Sequence, residues 1–261
     1  MTRDDLLLEC RKGVKYCLGV ASLWWLPRLA REWIKQVDRV VCVSKRQAEI
    51  VADQIPELKD KIKVIYNPTL PEILNIEPRK EPDDTPTFLY VGGDSYVKGF
   101  HILLRALKEI GKQGVKAKFI LTNFYSRRSL KVLKALNVKY ENLEIDVKGR
   151  VKYEELLNLH REAWGLVFPS IWEEPLPYAI IQSALMGTIP IAMNVGGVPE
   201  ILSKTPAEEF LIKDFSPISL AKKLQVLTML GKAEIMKIGS ALSRRVRKLN
   251  NSSKIATLML E

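Results

Sequence analysis

The chain has 261 residues, 47% of them hydrophobic and 27% charged, which suits one or two folded domains with a sizeable core. No apolar run approaches the ~20 residues needed to span a bilayer, and the start MTRDDLLLEC carries acids and no long apolar stretch, so the expectation is a cytoplasmic protein, with the inner face of the membrane as an alternative. Lysine and arginine number 41 against 30 acids, a net charge of +11 that invites nucleic acid, an anionic membrane surface or a phosphorylated small molecule, and the lack of any visible recognition module argues against nucleic acid.

In chain order, LWWLPRLAREWI brings Trp24, Trp25 and Trp33 into a lead-in whose simplest reading is packing within the chain; a partner chain or a membrane interface are the alternatives. RVVCV (39–43) reads as a strand, and Ser44 with Gln47 has the spacing of a capping box that opens a helix. KVI (63–65) is a second short strand, ended by Asn67-Pro68. The segment 76–86, IEPRKEPDDTP, holds three prolines and several charges without apolar periodicity, and reads as a linker. Beyond it lie TFLYV (87–91), AKFIL (117–121), LEIDV (143–147), GLVF (165–168), IPIA (189–192) and FLI (210–212). Amphipathic helical stretches such as FHILLRALKEIGKQ and EELLNLHREA separate them. Ser216-Pro217 has the form of an N-cap with proline at the first helical position. Strands alternating with helices predict an α/β fold with a doubly wound parallel sheet over 87–230, followed by a basic helical segment at 231–261. Residues 1–75 carry too few strands for a domain of the same kind, and read as an incomplete segment. The cluster Arg244, Arg245, Arg247 and Lys248 in the tail reads as a solvated helix face.

The three cysteines are few and odd in number, which argues against a disulfide framework. Cys10 and Cys17 read as ordinary thiols, with a zinc site or a local bridge as the alternatives.

Four turns at the carboxyl edge of this sheet carry the chemistry, because ligands of doubly wound sheets bind there. In YVGGDSYVKGF (90–100) a strand ends in Gly92-Gly93 and Lys98-Gly99 opens a helix. Glycines admit a close phosphate, and a lysine beside them adds a full charge. The stretch is not a nucleotide-triphosphate P-loop. After GLVF, Glu173 and Glu174 precede a helix, and eight residues beyond Glu174 stands Gln182, about two turns on. The same step from Glu173 reaches apolar Ile181, so the polar pairing selects Glu174. Gly196-Gly197 follows the strand IPIA, ahead of Glu200, and Gly149 with Arg150 and Val151 follows LEIDV, where backbone could border a base. Together the turns suit a ligand with a diphosphate at one end and polyol hydroxyls at the other.

The pieces VGG…KGFHILLRAL, KGRVKYEELLNLHREAWGLVFPS and WEEPLPYAIIQSALMGTIPIAMNVGGVPEIL resemble the C-terminal, donor-binding domain of glycosyltransferase family 4, of the GT-B fold, over roughly residues 37–250. The resemblance implies a retaining transfer of sugar from a nucleotide-diphosphate donor to a glycan, lipid or protein acceptor. It implies no metal and no resident cofactor. It places Lys98 on the leaving diphosphate and Glu174 on the sugar hydroxyls, as the catalytic pair. Position 182 falls on the ribose, and the backbone of Arg150 and Val151 on the base. Gly92, Gly93, Gly196 and Gly197 line the donor. Residues 1–75 then become the remnant of the acceptor-side domain, which a partner chain could supply.

Three departures stand out. Gln182 replaces the second glutamate of the E-x7-E signature. Gly93 stands where the family has an arginine, whose loss should weaken donor binding by about 1.5–3 kcal/mol. Pro177-Tyr178 replaces a Gly-Leu helix start, and the proline removes one N–H that could have met phosphate. Gln182, Gly93 and the short amino-terminal part favour a second expectation, a non-catalytic nucleotide-sugar-binding module acting through a partner.

Overall fold

A computed structural model describes residues 10, 13–23, 25–69, 71–74, 76–78, 81–250 and 255–257. The chain divides into two compact units, Met1–Cys42 with Ala48–Val64, and Val43–Gln47 with Ile65–Glu261.

The first unit contains α1 (Val14–Ser22), α2 (Leu26–Ile34), β1 (Val40–Cys42), a 3-10 turn (Pro56–Lys61) and β2 (Ile62–Val64). β1 and β2 pair in parallel, with Val40 opposite Ile62. Cys10 and Cys17 are disulfide-bonded, so the local bridge replaces the expected free thiols, while Cys42 is a buried free cysteine. Lys61 Nζ donates to the carbonyls of Lys35 and Val37. Packing within the chain does not bury the tryptophans: Trp25 is 47% and Trp33 62% exposed, and Trp24 lies outside the described residues. The apolar positions of α2 fall largely on one face, yet none of its residues is buried. Among the described residues, no helix is long and apolar enough to cross a membrane.

The second unit is built on six parallel strands, in the order β5-β4-β3-β6-β7-β8. They are β3 (Thr87–Tyr90), β4 (Ala117–Thr122), β5 (Leu143–Gly149), β6 (Gly165–Phe168), β7 (Ile189–Met193) and β8 (Leu211–Ile212). Every residue of the inner strands β3, β6 and β7 is buried, as expected of a parallel sheet covered on both faces, and the edge strand β5 is mostly half-buried. Phe88 and Phe119 stack across β3 and β4 with ring centroids 5.2 Å apart.

Two helical layers cover the sheet. One has α5 (Phe100–Lys112) against α6 (Arg127–Lys139) and α10 (Pro217–Met229). The other has α7 (Tyr153–Glu162), α8 (Tyr178–Leu185) and α11 (Lys232–Leu249). α5 buries Phe100, Leu103, Ala106, Leu107 and Ile110, the repeat that places one helical face on a sheet. Ser216 caps α10 as its sequence proposed, accepting from the N–H groups of Ile218 and Ser219, with Pro217 at the first position. Two short helices complete the unit, α4 (Pro71–Leu74) and α9 (Val198–Leu202). The basic cluster on α11 is not merely a solvated face. Arg245 donates to Glu200 O (3.2 Å) and Arg247 to Ile76 O (2.7 Å), each tying a distant backbone carbonyl.

His160 on α7 is fully buried and neither ring nitrogen has a hydrogen-bond partner; burial pushes its pKa from 6.5 down to about 3. The folded protein therefore resists protonation that the unfolded chain accepts near 6.5, so stability falls as pH drops below that value. The slope is about 1.4 kcal/mol per pH unit. Comparing denaturant midpoints at pH 7.5 and 5, the parent should lose about 2 kcal/mol more than His160→Leu. Equal losses would show that this histidine is not held neutral.

Candidate functional site

The order β5-β4-β3-β6-β7-β8 puts the topological switch point between β3 and β6, where the chain first runs outward to one edge and then to the other. The loops leaving those two strands diverge and leave a crevice at their carboxyl ends. Lys98 closes the β3 loop and Glu174 lies in the β6 loop. Their side chains meet, with Lys98 Nζ 2.7 Å from Glu174 Oε1.

Two glycines make this approach possible. Gly99 has φ +74°, and a Cβ there would lie 1.8 Å from Pro169 O, so only a bare α-carbon lets the start of α5 touch the end of β6. Gly196 has φ +50°, and its Cβ would fall 1.8 Å from Glu174 O. The Gly196-Gly197 turn after β7 therefore packs directly on the glutamate loop. Gly197 N–H donates to Glu174 O (3.0 Å) and Gly196 N–H to Glu173 Oε2 (2.7 Å).

Glu174 is the enclosed member of the acidic pair, its side chain 15% exposed against 48% for Glu173. Ser170, buried at the end of β6, holds it from behind. The Ser170 hydroxyl lies 3.0 Å from Glu174 Oε1 and 3.1 Å from Val97 O, and accepts from Trp172 N–H. Sequence reading passed over Ser170; its position directly after a fully buried strand at the switch point was the available signal. Glu173 faces outward, where Arg46 Nη2 lies 3.3 Å from its Oε1.

The β3 loop is fixed by Asp94. Its carboxylate accepts from Ser126 N–H (2.7 Å) and the Ser129 hydroxyl (2.8 Å) at the start of α6. Burial alone would raise its pKa, but these hydrogen bonds outweigh it and hold the group below the usual carboxylate range. Gly92 and Gly93 lie in this loop, and Gly93 N-terminal to Asp94 packs against Phe124 O, which a Cβ would approach to 2.7 Å. Tyr90, beneath the loop, is buried with its hydroxyl 3.3 Å from Lys98 O, and burial raises its pKa.

Arg150 and Val151 follow the edge strand β5, two strands from β3 and so about 10 Å away across the sheet. They do not touch the Lys98–Glu174 pair among the hydrogen bonds and ion pairs described. Gln182, on α8, donates from Nε2 to the Tyr153 hydroxyl at 2.9 Å, which links the start of α7 to the helix beyond Glu174. Ile181, beside it on α8, is buried.

Glu200 has a role that its place at the start of α9 did not suggest. Its carboxylate accepts from the N–H groups of Lys45 (3.1 Å) and Arg46 (2.9 Å), the first turn of α3 (Lys45–Gln54), and from the Tyr66 hydroxyl (2.7 Å). Ser44 accepts from Gln47 N–H, and Gln47 reaches back to Val43 N–H. Ser44 thus caps the helix as the spacing indicates, Gln47 reaches one residue further back than a capping box requires, and the N–H groups of Lys45 and Arg46 go to a residue more than 150 positions away. Among the described residues, no group of three or more His, Cys, Asp or Glu side chains is placed to hold a metal ion.

The six-stranded order, with a cation and a carboxylate joined at its switch point, is that of a Rossmann-like domain of the GT-B glycosyltransferases. The sequence profile of the glycosyl transferases group 1 family matches residues 73–235, and the chain belongs to that family. An uncharacterized glycosyltransferase of Methanocaldococcus jannaschii is 28% identical over 177 residues, 63% of this chain and 44% of that protein. The gpi3 subunit of phosphatidylinositol N-acetylglucosaminyltransferase from Schizosaccharomyces pombe is 24% identical over 208 residues, 76% of this chain and 45% of that protein. The chain thus spans less than half the length of these two relatives. Among solved structures, S. aureus TarM in complex with fondaparinux, α-GlcNAc-glycerol and UDP superposes with TM-score 0.76 at 14% identity, covering 90% of this chain and 45% of that one. Sucrose-phosphate synthase from Thermosynechococcus elongatus follows with TM-score 0.71 at 22% identity, covering 89% and 59%. These structural likenesses establish the fold.

Proposed function

We propose that the chain is the donor-binding part of a family 4 glycosyltransferase that takes sugar from a nucleotide-diphosphate donor with retention of configuration and without a metal ion. The observation that carries this reading is the Lys98–Glu174 pair at the switch point. Each neutralises the other. A donor would draw them apart: Lys98 to the leaving diphosphate, where a preorganised charge lowers the barrier most, and Glu174 to the sugar hydroxyls. The turns at Gly92-Gly93 and Gly196-Gly197 would line the donor, and Arg150 and Val151 would border the base. Residues 1–75 would belong to the acceptor side, 76–86 would link the parts, 87–230 would bind donor, and 231–261 would form the basic tail. A partner chain would complete the acceptor side, and the acceptor would be a glycan, lipid or protein. Structures of two similar folds contain UDP or UDP-glucose, which favours this class of donor. The reading places the protein in the cytoplasm, with the exposed tryptophans of α2 offering a route to the membrane face.

Thermal shift with UDP-, GDP- and ADP-sugars tests donor binding, and release of free nucleotide with and without acceptor tests transfer. No shift with any nucleotide sugar would remove the reading.

The alternative, a binding module without turnover, is favoured by one observation: Gln182 is engaged with Tyr153 and brings no charge to a ribose. Binding without nucleotide release would support it. In either case Gln182→Glu should tighten donor binding about tenfold, through a charge-assisted hydrogen bond. Unchanged affinity would take position 182 away from the ribose.

A further inference from the structure

Glu173 sits in a place built for an anion. One carboxylate oxygen accepts from Gly196 N–H at 2.7 Å, and the other lies 3.3 Å from Arg46 Nη2. The two donors come from segments 150 residues apart and meet on a single two-oxygen group. The Gly196 N–H is held independently of Glu173, and Arg46 is anchored independently at its backbone. The N–H direction of Gly196 is set by the left-handed turn packed on Glu174 O, and the Arg46 backbone is set by Glu200. The two donors lie beside the Lys98–Glu174 pair, since Glu173 and Glu174 are neighbours and the Gly196-Gly197 turn binds both.

The Arg46–Glu173 contact is half open to water, with side chains 45% and 48% exposed. So exposed an ion pair is weak and easily displaced. A phosphoryl group presents the same paired oxygens with more charge, and a guanidinium beside a fixed N–H suits it at least as well as a carboxylate.

We propose that Arg46 and the Gly196 N–H form a binding pair for a phosphoryl group of the donor, and that Glu173 occupies this pair as an internal competitor until the donor arrives. The proposal rests on the donor reading above and adds to it a residue outside the strand-end turns, together with a self-blocking carboxylate.

The test is titration calorimetry of the whole chain with inorganic pyrophosphate at low salt. Removing the competitor while keeping its shape, Glu173→Gln should bind pyrophosphate about threefold to tenfold more tightly than the parent, and Arg46→Ala at least about tenfold more weakly. Glu173→Ala, which cannot hold the N–H at all, should bind at least as tightly as Glu173→Gln, and serves if the glutamine variant folds poorly. The opposite signs are decisive. An ion pair that only braces the loop would make both substitutions weaken binding, and that result, or no change in either, or no pyrophosphate binding by parent and Glu173 variants alike, overturns the proposal. The same variants with UDP-sugars separate the two ideas. Opposite-signed pyrophosphate responses in a chain that ignores every nucleotide sugar would leave the anion site standing and remove the donor reading. Nucleotide-sugar binding with pyrophosphate affinity unmoved by either change would do the reverse.

Discussion

Lys98→Ala is expected to cut sugar transfer at least tenfold, and Glu174→Ala to do the same, without unfolding the protein. The two side chains are joined at 2.7 Å, Lys98 being 39% exposed and Glu174 15%. An ion pair with one partner this open adds about 0–1 kcal/mol to stability, so the melting temperature should move by only a few degrees. The effect on rate is a different quantity. A fixed cation aimed at developing negative charge in a site that needs no reorganisation is worth about a hundredfold to a thousandfold when removed, and tenfold is a lower bound for a side chain that remains partly hydrated. The outcome for Lys98 should appear in kcat, because the leaving diphosphate gains charge only as the bond breaks. For Glu174 the loss should be shared between kcat and KM if it takes the proposed role, because hydrogen bonds to sugar hydroxyls would be made before and during the reaction. A variant that transfers as fast as the parent would strip that residue of its role, and a collapse in melting temperature would reassign it to structure.

Gly99→Ala should destabilise the fold by about 3 kcal/mol or more, while Gly114→Ala should cost only about 1–2 kcal/mol. Both glycines have left-handed backbones, φ +74° and +70°. A side chain pays the same conformational penalty at each. The surroundings differ: a Cβ at Gly99 meets Pro169 O at 1.8 Å, and at Gly114 it meets nothing within 4 Å. Relief at Gly99 requires the β3 and β6 loops to separate, and those loops carry Lys98 and Glu174. Gly99→Ala should therefore also lose donor binding, with Gly114→Ala retaining it. Urea denaturation of the two variants beside the parent measures the contrast. Equal losses would mean that the loops are not in the close contact described.

Much of this was legible in the chain. The alternation of short β-branched runs with amphipathic helices identified all six strands of the main sheet to within a residue or two, because a parallel strand covered on both faces must be apolar throughout and such runs are easy to see. The Gly-Gly turns follow β3 and β7 at the carboxyl edge of the sheet, and Lys98-Gly99 opens the helix after β3, where the chain had placed them. Where the reading failed, the cause was distance along the chain. The cluster Arg244–Lys248 read as a wet helix face because nothing near it in sequence is acidic, yet Arg245 and Arg247 spend their donors on carbonyls of Glu200 and Ile76. Trp25 and Trp33 read as packed, because aromatic side chains usually are, and both stand exposed, Trp25 just before α2 and Trp33 on it.

Local order of residues therefore determined which segments are strands and which turns need glycine. Those are short-range properties, set by the 3.6-residue helix and the two-residue strand repeat. Tertiary structure alone decided the meetings: Lys98 with Glu174 across 76 positions, Glu200 with the first turn of α3, and Arg46 with Gly196 on one carboxylate. Those depend on strand order, and strand order is settled by how the helical layers pack on both faces of the sheet, which no single stretch of residues encodes.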